Sequence, residues 1–413
     1  MMRIVLISGE FPPMQGGVGD FTNELGGALA ALGHEVHVIT SASHNTQPET
    51  RNPVIVHRSV RGWGRGCWRD IIRLYDALHF DILNIQYQIA AYRMHPAINF
   101  LPLRLRTGTG SRPRIVVTFH DLKVPHLFPK AGPLRWWVNL ALARWSDAVI
   151  VTNAEDFARL SAYSCIRSLS LIPISSNISP QPPADYDREA WRARWGVRPN
   201  DLLLSYFGFL NESKGAETLV RALGRLVQRE DNPQPASNIQ SPISNIQLIM
   251  VGGKVGSSDP ANVAYLKRIV GLIEELGLTN RVLWTGYTPQ TEVSANLLAS
   301  DICVLPYRDG ASFRRGSFMA ALAHGLPIVS TRPRVDVPEL RHGENILLVP
   351  PDAPVALAEA IARLVEDARL RRRLGEGAAR LAQDFTWEKI AEKTKALYEE
   401  ILRRDFSESV ISV

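Results

Sequence analysis

Short apolar runs alternate with helix-length amphipathic stretches along the whole 413-residue chain. Ten such runs stand out: Ile4–Ile7, Val36–Ile39, Ile82–Ile85, Ile115–Phe119, Ala148–Val151, Leu202–Phe207, Leu248–Val251, Val282–Trp284, Ile302–Leu305 and Ile328–Ser330. Brief runs rich in Val, Ile and Leu are strands buried on both faces, and helices between them make the sheets parallel. Ten strands are too many for one simple doubly wound sheet. The pattern therefore predicts an α/β chain with two Rossmann-like domains. The length agrees, at roughly 150 residues per domain.

The boundary is visible. Ser175–Pro183 is rich in Ser, Pro and Asn, and a polar helix, Arg188–Trp195, precedes the strand at Leu202. We expect an N-terminal domain over 1–180, a linker over 181–200 and a C-terminal domain over 201–385. A last helix over 386–404 and a frayed tail over 405–413 follow. Asp231–Gln247 holds Ser-Asn-Ile-Gln twice, at 237–240 and 244–247, and reads as a surface insertion.

Charge narrows the function classes. There are 47 basic and 41 acidic side chains, and only eight of the basic ones are Lys. Residues 1–180 carry 18 basic and 12 acidic groups, so the whole excess of six lies there. Opposite signs interleave, and no RRM, KH or helix-turn-helix signature occurs, which argues against nucleic acid as the partner. No apolar run approaches the roughly 20 residues of a membrane span. Ile4–Ile7 is too short for a signal segment, so the chain is expected in the cytoplasm. Cys67, Cys165 and Cys303 have no paired spacing, which favours neither a zinc site nor a disulfide framework.

Strand Ile4–Ile7 runs into a loop containing Gly16-Gly17-Val18-Gly19 before a helix. Such a turn presents N–H groups at a positive helix end and suits a phosphate or an acceptor hydroxyl. It is neither a dinucleotide fingerprint nor a Walker loop, and a plain turn is the bland alternative.

The second half has more candidates at strand carboxyl ends, where open α/β sheets bind ligands. Lys214 lies in the turn after Leu202–Phe207 and can reach a phosphate as a point charge. Gly252-Gly253-Lys254 follows Leu248–Val251, and Gly286-Tyr287 follows Val282–Thr285. Arg314-Arg315-Gly316-Ser317 opens a helix, and two Arg at a helix N-terminus make a local anion site. A solvated Arg pair beside an N-cap serine fits the local sequence equally well.

Taken in order, these pieces resemble the family 4 retaining glycosyltransferases. The likeness runs from Gly16–Gly19 through Thr118-Phe119-His120-Asp121, Ser146–Asn153, Gly208–Gly215 and Thr285-Gly286-Tyr287. It continues through Ala321–Val329, Asn345–Pro351 and Phe385-Thr386-Trp387-Glu388. It implies the GT-B fold, with two Rossmann-like domains facing a cleft and the last helix crossing back to the first. It also implies a nucleotide-sugar donor held mainly by the second domain, with an acceptor on the first and no metal or separate cofactor. The acceptor would be a glycan or lipid-linked hydroxyl. His120 matches a histidine at the donor sugar, and Lys214 the lysine that neutralises the diphosphate. Gly16 and Gly17 match the loop near phosphates and acceptor, with Gly253, Tyr287, Gly316 and Ser317 as further donor contacts.

This chain departs from that pattern. Phe209 stands where the family has an arginine, and Ser312 and Ala320 stand where it has two glutamates. Either Arg314 and Arg315 take over the diphosphate, or the chain keeps the fold and binds without transfer. The first half adds a membrane reading. Six Arg lie between Arg51 and Arg73 with Trp63 and Trp68, ahead of Pro133-Leu134-Arg135-Trp136-Trp137. Basic residues with interfacial Trp favour peripheral contact with anionic lipid, the alternative being a buried helix and a solvated loop.

Overall fold

The structure is a computed structural model. It describes residues 1–14, 16–42, 49–51, 53–107, 112–124, 134–231, 245–253 and 260–410. Lys254, Pro133 and most of the Asp231–Gln247 insertion lie outside these residues. The chain divides into two units, Met1–Asn177 with Phe385–Val413, and Ile178–Asp384.

The first unit contains β1 (Arg3–Ile7), α1 (Gly17–Ala31), β2 (Glu35–Ser41), β3 (Glu49–Arg51), β4 (Val54–Val60), α2 (Gly66–Leu78) and β5 (Ile82–Tyr87). It continues with α3 (Leu101–Arg106), β6 (Arg114–Phe119), α4 (Leu134–Trp145), β7 (Ala148–Val151), α5 (Ala154–Ser161) and β8 (Leu169–Leu171). The eight strands form one sheet in the order β3-β4-β2-β1-β5-β6-β7-β8. Every pairing is parallel except β3 with β4. In β1, Val5 and Ile7 pack with Ile71, Leu101 and Leu142. Ile4 and Leu6 face the other way, onto Phe21, Leu25, Ile390 and Tyr398. That alternation is the strand's two-residue period with both faces covered.

The second unit contains α6 (Arg188–Arg194), β9 (Leu202–Phe207), α7 (Ala216–Asp231), β10 (Ile246–Val251), α8 (Pro260–Glu275), β11 (Val282–Gly286) and α9 (Gln290–Ala299). After these come β12 (Ile302–Leu305), α10 (Gly316–Ala323), β13 (Ile328–Thr331), β14 (Leu347–Val349), α11 (Pro354–Glu366) and α12 (Ala368–Ala382). Its six strands are all parallel, in the order β11-β10-β9-β12-β13-β14.

The final helix, α13 (Trp387–Val410), belongs to the first unit. It packs against α1, with the Phe21 and Trp387 rings 5.3 Å apart. Asn84 donates to the Tyr398 hydroxyl at 2.6 Å inside the core.

All ten runs in the sequence are strands. β3, β4, β8 and β14 are additional. The stretch expected as a linker is built into the second unit. Trp191 donates to Asn296 at 2.9 Å. The buried Arg192 donates to the Ala299 and Asp201 carbonyls at 2.8 and 2.7 Å and to Asp301 at 3.0 Å.

Candidate functional site

In the second unit, the site starts from the turn after β9. Asn211 caps it, its side chain accepting from the Lys214 N–H at 3.2 Å. Gly215 closes the turn in the left-handed region, at φ +69°. This geometry carries the Lys214 side chain back over Gly208. A Cβ at Gly208 would lie 2.5 Å from Nζ, and its φ is +112°. The positive φ favours glycine there, and a side chain at this position would push the Lys214 ammonium aside. That same Cβ position is 3.8 Å from Cβ of Ser317, so Lys214 faces the start of α10.

From the end of β12, Tyr307 donates to or accepts from Ser317 Oγ at 2.7 Å. Its ring lies under the Arg315 guanidinium, 4.9 Å from the centroid. Burial, and then the like charge of Arg315, lower the Lys214 ammonium from its ordinary 10.5 to about 8. Two cations thus stand together at the carboxyl ends of β9 and β12, beside a helix N-terminus. The helix adds its own partial positive charge.

Gly253 lies beside the ring of Phe209, which would be 2.8 Å from an added Cβ. Tyr287, after β11, is 70% exposed. The structure therefore gathers Lys214, Arg315, Gly316 and Ser317, while Gly253 packs with Phe209. Arg314 is tied instead to Asp309, at 3.0 Å. Arg315 pairs with the same carboxylate. Asp309 went unread in the sequence; an unmatched Arg-Arg pair was the only hint that a counter-ion was needed. Ala320 is fully buried in α10 and has no hydrogen-bonding side chain.

In the first unit, the glycine loop holds a carboxylate. Glu10 Oε1 accepts from the Val18 N–H at 3.2 Å. A Cβ at Gly16 would fall on that carboxyl group. Burial raises the Glu10 carboxyl above its usual range, opposed by bonds from the Val18 and Gly19 N–H groups. The anion position at the head of α1 is thus filled from within. Gly17 has open space around its Cα.

His120 follows β6 and meets Phe21 edge-on at 4.7 Å. Its Nε2 bonds Gln86 Oε1 at 3.0 Å, which places the proton on Nε2 and leaves Nδ1 as an acceptor. Burial lowers its pKa to about 3, so the ring is neutral.

The basic stretch of this unit is less interfacial than its composition implied. Trp63 is buried, with its indole N–H on Ser41 Oγ at 2.9 Å. Trp68 donates to the Ala97 carbonyl at 2.9 Å. Trp136 donates to Tyr163 at 2.9 Å. Arg58 is buried and donates to the Pro12 carbonyl at 2.5 Å. Trp137 alone of the four is largely exposed, at 62%. Among the described residues, no helix is long and apolar enough to cross a membrane.

Two Rossmann-like units, a returning C-terminal helix and cations at the strand ends of the second unit define the GT-B class. Comparison with known proteins agrees. Residues 15–173 match the family described as "Glycosyltransferase Family 4". Residues 201–367 match "Glycosyl transferases group 1". Two glycosyltransferase family models thus match the two halves of the chain in turn, and the fold is GT-B.

A D-inositol 3-phosphate glycosyltransferase of Corynebacterium diphtheriae is 26% identical over 257 residues, or 61% of this chain and 56% of that one. The chain thus spans about half the length of that relative. Sucrose-phosphate synthase of Thermosynechococcus elongatus superposes with a TM-score of 0.73 at 24% identity, covering 98% of this chain and 100% of that one. Anabaena HepE, solved with UDP-glucose, gives 0.72 at 16% identity, covering 97% and 100%. These last two likenesses show the fold.

Proposed function

We propose that this chain transfers a sugar from a nucleotide-sugar donor to a glycan or lipid-linked hydroxyl, with retention and without a metal. The observation that carries the reading is the Lys214–Arg315 pair at the head of α10. Two cations pressed together without a shared counter-ion are at their most favourable beside a dianion, and a leaving nucleotide diphosphate is one. Arg315 here supplies the second charge that Phe209 cannot. The Gly316 and Ser317 N–H groups and the Ser317 hydroxyl complete the cradle, and Arg314 extends it. Gly253 and Tyr287 are assigned to the nucleotide side.

On the first unit, neutral His120 offers an acceptor to a donor-sugar hydroxyl. Glu10, at the Gly16-Gly17 loop, accepts from the acceptor's hydroxyl. Departure of the diphosphate puts negative charge where Lys214 and Arg315 stand, and the same-face attack delivers the acceptor proton to the leaving phosphate. The cations do the work a divalent metal would do elsewhere. HepE, a fold neighbour, was solved with UDP-glucose, which supports a UDP-sugar as the first donor to try. The exposed Trp137 and the exposed Arg61, Arg65, Arg69 and Arg73 are the residues a lipid-linked acceptor's membrane would meet. Flotation with anionic liposomes tests that contact.

The absence of both family glutamates favours a second reading, a nucleotide-sugar-binding protein that does not transfer. Screening UDP-, GDP- and ADP-sugars for thermal stabilisation, and then for turnover with candidate acceptors, separates the two. Stabilisation that Lys214→Ala and Arg315→Ala both abolish supports the donor site. Stabilisation that survives both substitutions rejects it.

A further inference from the structure

Asp309 is a carboxylate set among the cations of the proposed diphosphate site. Both of its oxygens contact the Nη2 end of Arg315, and Oδ2 also takes Nη2 of Arg314 at 3.0 Å. It is mostly buried, with 18% of its side chain exposed. Burial alone would raise its pKa. The hydrogen bond and charge of Arg315, with the charge of Arg314, hold it below the usual carboxylate range.

An acidic group at an anion site demands an explanation, because it repels the ligand. One account makes it a competitor that the diphosphate must displace. The geometry favours another. A guanidinium has five N–H donors, and Asp309 uses only the Nη2 end of Arg315. Nε of Arg315 is buried without an acceptor. Nη1 reaches only Ser213 Oγ, at 3.5 Å. With only that long contact, Nη1 is left to take a second acceptor while Asp309 keeps its own.

Without Asp309, Lys214, Arg315 and Arg314 would be three neighbouring cations with nothing to hold them in register. Arg315 is the N-cap residue of α10 with a long flexible side chain, and repulsion from Lys214 would drive it to solvent. The Tyr307 ring supports the guanidinium from beneath, 4.9 Å away, but a ring face does not fix its rotation in plane. A carboxylate gripping one end does.

We infer that Asp309 is a positioning residue: it holds Arg315 beside Lys214 with the guanidinium's remaining donors turned to the donor diphosphate. This rests on reading the Lys214–Arg315 pair as the diphosphate site. It makes that site three-part, with an anchor that never touches the ligand.

The test is calorimetric titration of the full chain with inorganic pyrophosphate, checking each variant's melting temperature. Asp309→Asn is expected to weaken pyrophosphate binding about tenfold, although it removes a repulsive charge, because the guanidinium is no longer aimed. Asp309→Glu, which keeps the charge and the fork, is expected to recover most of that loss. In an Arg315→Ala background, Asp309→Asn should have no further effect, since its influence passes through Arg315. Unchanged or tighter binding by Asp309→Asn overturns the inference in favour of the competitor account. An equal tenfold loss in the Arg315→Ala background overturns it as well. If Lys214→Ala and Arg315→Ala bind pyrophosphate like the wild type, the diphosphate reading fails first, and the inference with it.

Discussion

Lys214 is where the fold works against itself, and replacing it should stabilise the free protein. The fold moves the ammonium from 10.5 to about 8, through burial first and then Arg315. At about 1.4 kcal/mol per tenfold, that amounts to roughly 3 kcal/mol against the charged form. Lys214 is not wholly enclosed, so solvent screening leaves about 2 kcal/mol of this. Methionine keeps the length and apolar stem without the charge. Lys214→Met is therefore expected to raise the melting temperature by about 4–8 °C at pH 7. The variant should also lose pyrophosphate binding.

The sign of the pH dependence is specific. A lysine with a depressed pKa binds fewer protons folded than unfolded between about 8 and 10.5. Wild-type stability thus carries the whole penalty below pH 8 and sheds it as the pH rises toward 10.5. The advantage of Lys214→Met should shrink across that window, and differential scanning calorimetry of both proteins at several pH values measures it. A variant that melts at or below wild type at pH 7 would refute the reasoning. So would an advantage that stays constant up to pH 10.5, because Lys214 would then not be an uncompensated buried cation.

Gly16→Ala pushes a methyl group into the Glu10 carboxyl and should cost about 1 kcal/mol through the lost bond to Val18. Glu10→Ala removes the same bond, so in that background Gly16→Ala should cost nothing further, and an additive loss would show that the two do not meet. Arg192→Met strips the Ala299 and Asp201 carbonyls and Asp301 of a buried donor and is expected to cost about 3 kcal/mol in a urea titration. A cost near zero would return α6 to the status of a linker. Tyr398→Phe leaves the Asn84 amide without its acceptor inside the first unit and should cost about 1–3 kcal/mol by thermal melting.

The parallel sheets were legible because a strand buried on both faces must be apolar at every position, and such runs are hard to miss. β4 was harder. His57 and Arg58 interrupt Val54–Val60, and each is buried only through a partner that sequence does not show. His37 Nδ1 lies 2.9 Å from His57 Nε2, and the Pro12 carbonyl takes Arg58. α6 misled for a similar reason. Arg192 belongs to a helix that reads as polar, yet its guanidinium is enclosed by carbonyls from α9 and the approach to β9. In the site, Lys214, Arg315 and Ser317 could be found because strand ends and helix starts are marked by glycine and serine. Asp309 and Glu10 could not. A carboxylate six residues before Arg315, or eight before Val18, is ordinary until the loop folds it back.

Gross charge also turns out to be a poor guide to where an anion binds. With the last helix counted in, the first unit has 23 basic and 18 acidic side chains, and the second has 24 and 23. Yet much of the first unit's excess is spent inside its own fold. Arg106 and Arg112 converge on the buried Asp147, at 2.6 and 2.9 Å. Arg58 is held by a backbone carbonyl. Those cations have already exchanged water for a protein acceptor and gain little from an incoming ligand. In the second unit, among the described residues, no carboxylate pairs with Lys214, and the Arg315 Nε has lost water without finding an acceptor. A dianion arriving there relieves two desolvation costs at once. The nearly neutral unit therefore carries the proposed diphosphate site, because net charge does not show which cations are already committed to a protein acceptor.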